Sequence, residues 1–178
     1  MRQTPCSLLV VLILLTGCHT AGTNVSGIRN FARVDETLYR GAQPTEAGIE
    51  RLKEKGVRTV IDLRDDANPR ERRWVESRGL AYIHIPCDPA RVEVEKLRTF
   101  LLAMETADKP VFVHCRQGRD RTGLSVAAYR MMNGWERPRA MNELYGYGHA
   151  WLFFPAIARY LRAFEPDDFR SSELHAGG

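Results

Sequence analysis

A chain of 178 residues with 44% hydrophobic and 27% charged residues suits one globular domain with a real core, which excludes a disordered polymer and a multi-span membrane protein. The net charge of +4, carried mainly by arginine, favours an anionic ligand. No basic run with interleaved aromatics occurs, so no nucleic-acid partner is expected.

The first residues read as export information. Arg2 supplies a positive charge and Ser7 to Leu15 an apolar run too short to span a bilayer, followed at once by Leu15-Thr16-Gly17-Cys18. This stretch resembles the lipobox of bacterial lipoprotein signal peptides, in which cleavage precedes a cysteine that becomes acylated. The resemblance implies a signal peptide over 1–17, a lipid anchor at Cys18 and a domain in the cell envelope on the periplasmic side. His19 after that cysteine leans the sorting towards the outer membrane. Residues 18–27 are small and polar and are expected to form a flexible tether. With Cys6 and Cys18 set aside, Cys87 and Cys115 remain, too few for a disulfide-built scaffold.

The folded domain is expected over 28–165. Leu38-Tyr39-Arg40-Gly41 suggests a short edge strand, and Pro44-Thr45 opens a helix with Ile49 and Leu52 on one face, closed by Gly56. Val57 to Leu63 is a buried strand, Pro69 to Arg78 a charged helix stopped by Gly79, and Leu80 to Ile85 a second buried strand. Pro86-Cys87-Asp88-Pro89 breaks the chain into a loop. Val94, Leu97, Leu101 and Met104 then recur at helical spacing, giving an amphipathic helix. Val111-Phe112-Val113 is the third core strand, and a glycine-bearing loop leads into a helix with Leu124, Ala127, Ala128 and Met131 on its apolar face. Two helices follow, over Arg137 to Tyr145 and Pro155 to Phe164, and the tail over 166–178 is expected to be disordered. Such alternation predicts an α/β fold, a central mainly parallel sheet flanked by helices, with ligands at the carboxyl ends of the strands. Asp88 and Cys115 both fall just past strand ends.

The loop His114-Cys115-Arg116-Gln117-Gly118-Arg119-Asp120-Arg121-Thr122-Gly123 carries the chemistry. Loop amides and the dipole of the following helix form a concave anion site, in which a thiol is held as the attacking thiolate and a phosphate dianion is attracted. Gly118 gives the tight loop its backbone freedom and Gly123 lets the helix approach closely. Arg121, six positions after Cys115, can return across the loop and grip two phosphate oxygens with its planar guanidinium. Thr122 can hydrogen-bond the cysteine sulfur and His114 can orient the loop through its ring nitrogens.

His114-Cys115, five intervening residues and Arg121-Thr122-Gly123 resemble the phosphate loop of cysteine-based protein tyrosine and dual-specificity phosphatases. The likeness runs from Leu38-Tyr39-Arg40-Gly41-Ala42-Gln43-Pro44 to about Phe164 and is similar to the small dual-specificity-like branch of bacteria and fungi. It implies a dual-specificity-phosphatase-like fold, a phosphocysteine intermediate, Cys115 as nucleophile, Arg121 on the phosphate, and His114, Arg116, Gln117, Gly118, Arg119, Asp120 and Gly123 around the substrate. No metal or cofactor is required, and a monomer is expected. Asp88 occupies the position of the family's mobile acid loop, although Pro86-Cys87-Asp88 replaces the usual Trp-Pro-Asp; Asp120 is the alternative acid. Cys87 is a candidate redox partner of Cys115, or simply a core residue.

Phosphotyrosine proteins are the first substrate class. Arg116 and Arg119 leave inositol phosphates or phosphoinositides as the alternative. A rhodanese-type sulfurtransferase shares Cys-Arg-x-Gly, but its second arginine falls one position earlier, where this chain has Asp120. A non-catalytic phosphate-binding module is disfavoured by Cys115, Arg121 and a plausible acid. Arg64-Asp65-Asp66 reads as a polar turn, His84 as a strand residue of the surface or core, and His149 as a residue near the late helices.

Overall fold

The computed structural model of the protein describes residues 23–25 and 27–170. The lipobox-like segment, Cys18 and residues 171–178 therefore lie outside the described residues. No helix among the described residues is long and apolar enough to cross a membrane.

The chain runs through β1 (Thr23–Val25), β2 (Ile28–Arg33), β3 (Leu38–Ala42), α1 (Glu46–Glu54), β4 (Thr59–Asp62), α2 (Pro69–Glu76), β5 (Ala81–His84), α3 (Val94–Thr106), β6 (Val111–Cys115), α4 (Asp120–Met132), α5 (Arg137–Gly146), α6 (Pro155–Arg162) and α7 (Asp167–Arg170). The six strands form one sheet in the order β1-β2-β3-β6-β4-β5. The four strands β3, β6, β4 and β5 pair in parallel, while β1 and β2 add an antiparallel ribbon. The mainly parallel sheet matches the sequence expectation.

Four local expectations change. The Leu38–Gly41 strand is internal, because β2 covers its outer side. The second buried strand is instead the sheet edge, with Ala81 exposed and its neighbours half-buried. Within the expected tether, Thr23–Val25 forms β1, which pairs with β2. The tail is not wholly irregular: α7 buries Phe169 against Phe164, ring centroids 5.0 Å apart. In each case short segments gain order from a neighbour distant in sequence, which periodicity cannot report.

Side-chain alternation on β6 divides the interior. Val111, Val113 and Cys115 face the larger core, which α3, α4, α5 and α6 cover, whereas Phe112 faces the smaller core with Ile49, Leu52 and Val75 of α1 and α2. Thr45 caps α1 by accepting from the Gly48 amide, and Asn68 caps α2 by accepting from Arg70 with Pro69 in the first turn. Helix α4 is buried at every position from Asp120 to Ala128, beyond the single apolar face read from its sequence. It packs against α3, α5 and α6 as well as β6, so no side is left to water.

Candidate active site

Cys115 ends β6 and α4 begins at Asp120, so the chain turns through only four residues between them. The thiol is buried at the carboxyl end of the central strand, beside Ala42 of β3. Gly118 adopts φ +70°, and a Cβ there would lie 2.5 Å from the backbone carbon and oxygen of Gly41. Only glycine fits this approach between the loop and β3. At Gly123 a Cβ would meet Leu144 Cδ1 at 2.5 Å, which lets α5 lie close on α4.

Arg40 has its guanidinium wholly inside the protein. Its Nη2 donates to the Gly118 carbonyl at 3.0 Å, and its Cζ stands 3.7 Å from the Tyr147 ring centroid. Burial pulls its pKa down to about 10. Its signal in the sequence was only membership of Leu38-Tyr39-Arg40-Gly41, where Arg40 and Gly41 prove to be the two residues that shape the loop from below.

His114 points to the opposite face of the sheet from Cys115. Its Nδ1 is 3.4 Å from the Cys115 carbonyl and its Nε2 is 2.7 Å from Glu71 Oε1 of α2. Glu71 also accepts from Gln43 Nε2 at 3.0 Å and lies 3.3 Å from Arg64 Nη2. Arg64 binds both oxygens of Asp62, and Tyr82 donates to Asp62 Oδ2 at 2.8 Å. His84 Nε2 meets the Arg64 carbonyl at 2.7 Å. Asp62, Glu71 and His114 are close enough to suggest a cation site, but Arg64 already neutralises both carboxylates there. This buried network braces the strand that delivers Cys115. Glu71 was missed because an acid in a charged helix reads as solvated.

Arg64-Asp65-Asp66 is more than a polar turn. Arg121 Nη1 donates to Asp65 Oδ1 at 2.7 Å and to the Cys87 carbonyl at 3.0 Å, and Arg116 Nη2 donates to Asp66 Oδ2 at 2.7 Å. The bond from Arg121 holds the Asp65 carboxyl below the usual carboxylate range. The turn after β4 thus seats two arginines of the loop, because β4 and β6 are parallel neighbours and end on the same rim.

Asp120 is nearly inaccessible. Its Oδ1 accepts from His149 Nδ1 at 2.6 Å and from the Ala150 amide at 2.9 Å. A carboxylate only accepts, so His149 carries its proton on Nδ1, and its buried Nε2 has no hydrogen-bond partner among the described residues. Asp88 stands differently, with its side chain 44% exposed in the loop after β5. Its Oδ1 accepts from the Ala90 amide at 2.8 Å, and it shares a crevice with Cys87 and Arg121. Thr122 Oγ1 is fully buried and has no hydrogen-bond partner among the described residues, so the expected bond to the sulfur is not made here. Cys87 and Cys115 are both free thiols. The Cys87 thiol donates to the Ile85 carbonyl at 3.3 Å, and burial pushes its pKa up to about 12.

Residues 23–150 match the profile of a family described as DSP-PTPase phosphatase fused to NAD+ kinase. The chain belongs to this phosphatase family. Among curated relatives, the dual specificity protein phosphatase TpbA of Pseudomonas aeruginosa is 31% identical over 119 residues, 65% of this chain and 53% of that protein. The chain therefore spans about half the length of that curated relative. The inositol diphosphatase DSP2 of rice is 26% identical over 113 residues, covering 60% of this chain and 55% of its own. The crystal structure of P. aeruginosa TpbA superposes with a TM-score of 0.74 at 27% identity, over 88% of this chain and 97% of that one. A TpbA variant in complex with phosphotyrosine gives 0.71 at 28% identity, over 84% and 91%. These likenesses place the fold among the small cysteine-based phosphatases.

Proposed function

We propose that this chain is a cysteine-dependent phosphomonoester hydrolase acting on phosphotyrosine and other phosphoprotein substrates. The observation that supports this most is the placement of Cys115 at the head of α4, with Arg121 held on the same rim by Asp65 and the Cys87 carbonyl. In the first step the Cys115 sulfur attacks phosphorus as the ester P–O bond breaks, and Asp88 gives its proton to the leaving oxygen. In the second, Asp88 takes a proton from water, the water oxygen joins phosphorus, and the S–P bond breaks with the thiolate as leaving group. Arg121 spreads its positive charge over the equatorial oxygens in both transition states. Thr122, whose buried hydroxyl has no hydrogen-bond partner among the described residues, is left to serve the departing sulfur by reorienting.

The acid role goes to Asp88 because a general acid needs access to the leaving oxygen, and Asp120 is nearly inaccessible with its Oδ1 committed to His149 and Ala150. Inositol phosphates are the second reading, favoured by the cationic groove beside the loop and consistent with the rice relative. Lipid attachment at Cys18 in the cell envelope, and a monomeric state, belong to the same proposal and rest on the sequence. Cys87 as a reversible partner of Cys115 belongs there too, although its raised thiol pKa slows it as an attacking group.

Turnover of p-nitrophenyl phosphate and of a phosphotyrosine peptide by the purified protein, with Cys115→Ser as control, is the test. Hydrolysis by wild type and none by the variant is expected. Thiosulfate sulfurtransfer without phosphate release overturns the reading, and so does phosphate binding without turnover.

A further inference from the structure

Four arginines surround the phosphate loop near its mouth, and the acids beside them divide them into two kinds. Arg121 and Arg116 are paired with Asp65 and Asp66. Arg119, on the loop itself, and Arg29, on β2, are exposed and make no ion pair among the described residues. Both line one groove of about 390 Å³, together with Asn24, Gln117, Tyr147 and Gly148. Among the described residues no carboxylate lines it.

The groove is built rather than incidental. Asn30, next to Arg29, takes φ +55°, a left-handed conformation that asparagine tolerates but seldom adopts. From that position its Nδ2 donates to the Gly118 carbonyl at 3.1 Å and to the Tyr147 carbonyl at 3.2 Å. One side chain therefore ties the antiparallel ribbon to both the phosphate loop and the turn after α5, which are the walls of the groove. Gly148, at φ +81°, lies flat under Arg119: a Cβ there would stand 3.5 Å from the arginine Nε. The carboxamides of Asn24 and Gln117 add neutral donors to the two guanidiniums. Two unneutralised cations and carboxamides in a concave site form an anion receptor, and Gln117 and Arg119 make it continuous with the scissile-phosphate loop.

We propose that this groove is a subsite for a second phosphate group of the substrate, held by Arg29 and Arg119 while the first sits over Cys115. The proposal rests on the reading of the Cys115 loop as a phosphatase site and gives it a preference for doubly or multiply phosphorylated substrates. The second phosphate can belong to a polyphosphorylated small molecule or to a neighbouring residue of a phosphopeptide, and the chemistry of capture is the same.

The test uses Arg29→Ala, an exposed position on β2 away from the reacting atoms. Myo-inositol hexakisphosphate is titrated as an inhibitor of p-nitrophenyl phosphate turnover, and two peptides differing by one adjacent phosphate are compared as substrates. Loss of one charge-assisted contact should weaken hexakisphosphate inhibition about tenfold, or erase most of the preference for the doubly phosphorylated peptide. Turnover of the monophosphate should change less than about twofold, and Arg29→Lys should recover part of the loss. The arm that responds identifies the source of the second phosphate. No response in either arm overturns the subsite. If wild type fails to turn over p-nitrophenyl phosphate, the phosphatase reading falls. The subsite is then decided by calorimetric binding of hexakisphosphate to Cys115→Ser with and without Arg29→Ala: a weaker affinity in the double variant sustains it and equal affinities remove it.

Discussion

His149 Nδ1 stands 2.6 Å from Asp120 Oδ1, joining the turn after α5 to the first residue of α4. This contact distinguishes the surroundings of Asp120 from those of the exposed Asp88, the two carboxylates that the sequence left in competition for one role. On the proposed assignment Asp120 acts as a brace, and His149→Ala leaves a buried acceptor with one donor, at a cost of about 1–3 kcal/mol. Lower thermal stability is expected for that variant, with the acidic limb of the kcat profile retained. Asp120→Asn should keep that limb as well, whereas Asp88→Asn should lose it and slow turnover by about 10² to 10⁴. Steady-state pH profiles of the three variants check this; an Asp120→Asn enzyme without the acidic limb would move the role to Asp120.

The thiols should differ in reactivity. Burial first, and then the charge of Glu93, pushes the Cys87 thiol up to about 12, so almost none of it is thiolate at neutral pH. Brief iodoacetamide treatment at pH 7 should therefore label Cys115 and leave Cys87 intact, as read by peptide mass spectrometry. Inorganic phosphate, sitting over the sulfur, should protect Cys115. Preferential labelling of Cys87 would contradict the placement of the nucleophile.

Acid should destabilise the domain partly through Asp62. Its burial works against ionisation, but the Arg64 bonds, the His114 charge and the Tyr82 hydroxyl together hold its carboxyl below the ordinary 3.8. Asp35 is also held low, its Thr37 and Leu38 bonds outweighing burial. A carboxyl whose folded pKa is depressed contributes stability above its unfolded value and loses it as pH falls through the folded one. Urea midpoints should thus drop below about pH 4 in wild type. Asp62→Asn should lose less over that window while being weaker by about 3–5 kcal/mol at pH 7, where Arg64 is left buried without its main partner. Parallel urea curves at all pH values for the two proteins would remove this account.

Gly118→Ala should disable the loop. The new methyl would meet the Gly41 backbone at 2.5 Å, and strand β3 cannot yield without disturbing the Arg40 bond to the Gly118 carbonyl. Positive φ adds about 1 kcal/mol or more to that clash. Loss of at least about tenfold in kcat/KM with p-nitrophenyl phosphate is expected, alongside a lower Tm. Gly56→Ala, also at positive φ but with open space around its Cβ, is the control and should leave kcat/KM unchanged.

The parallel strands and the strand-loop-helix setting of His114 to Gly123 were legible in sequence, because they depend on local pattern: apolar runs bounded by turns, and fixed spacing within ten residues. The proposal of Cys115 as nucleophile rests on that same spacing. The acid was legible only as a choice between Asp88 and Asp120. What closed the site from outside was not legible. Glu71 looked solvated, Asp65 and Asp66 looked like a turn, Arg40 sat unremarked in a strand, and Asn30 lay in a segment given no strand at all. Each is brought to the loop by strand order or helix packing across tens of residues, and their charges acquire partners only where β3, β4 and β6 end together. Sequence spacing determined the loop on which the proposed reacting atoms lie; tertiary structure decided which arginines are paired with carboxylates among the described residues and which of Asp88 and Asp120 is exposed, because those depend on burial and proximity that no local pattern encodes.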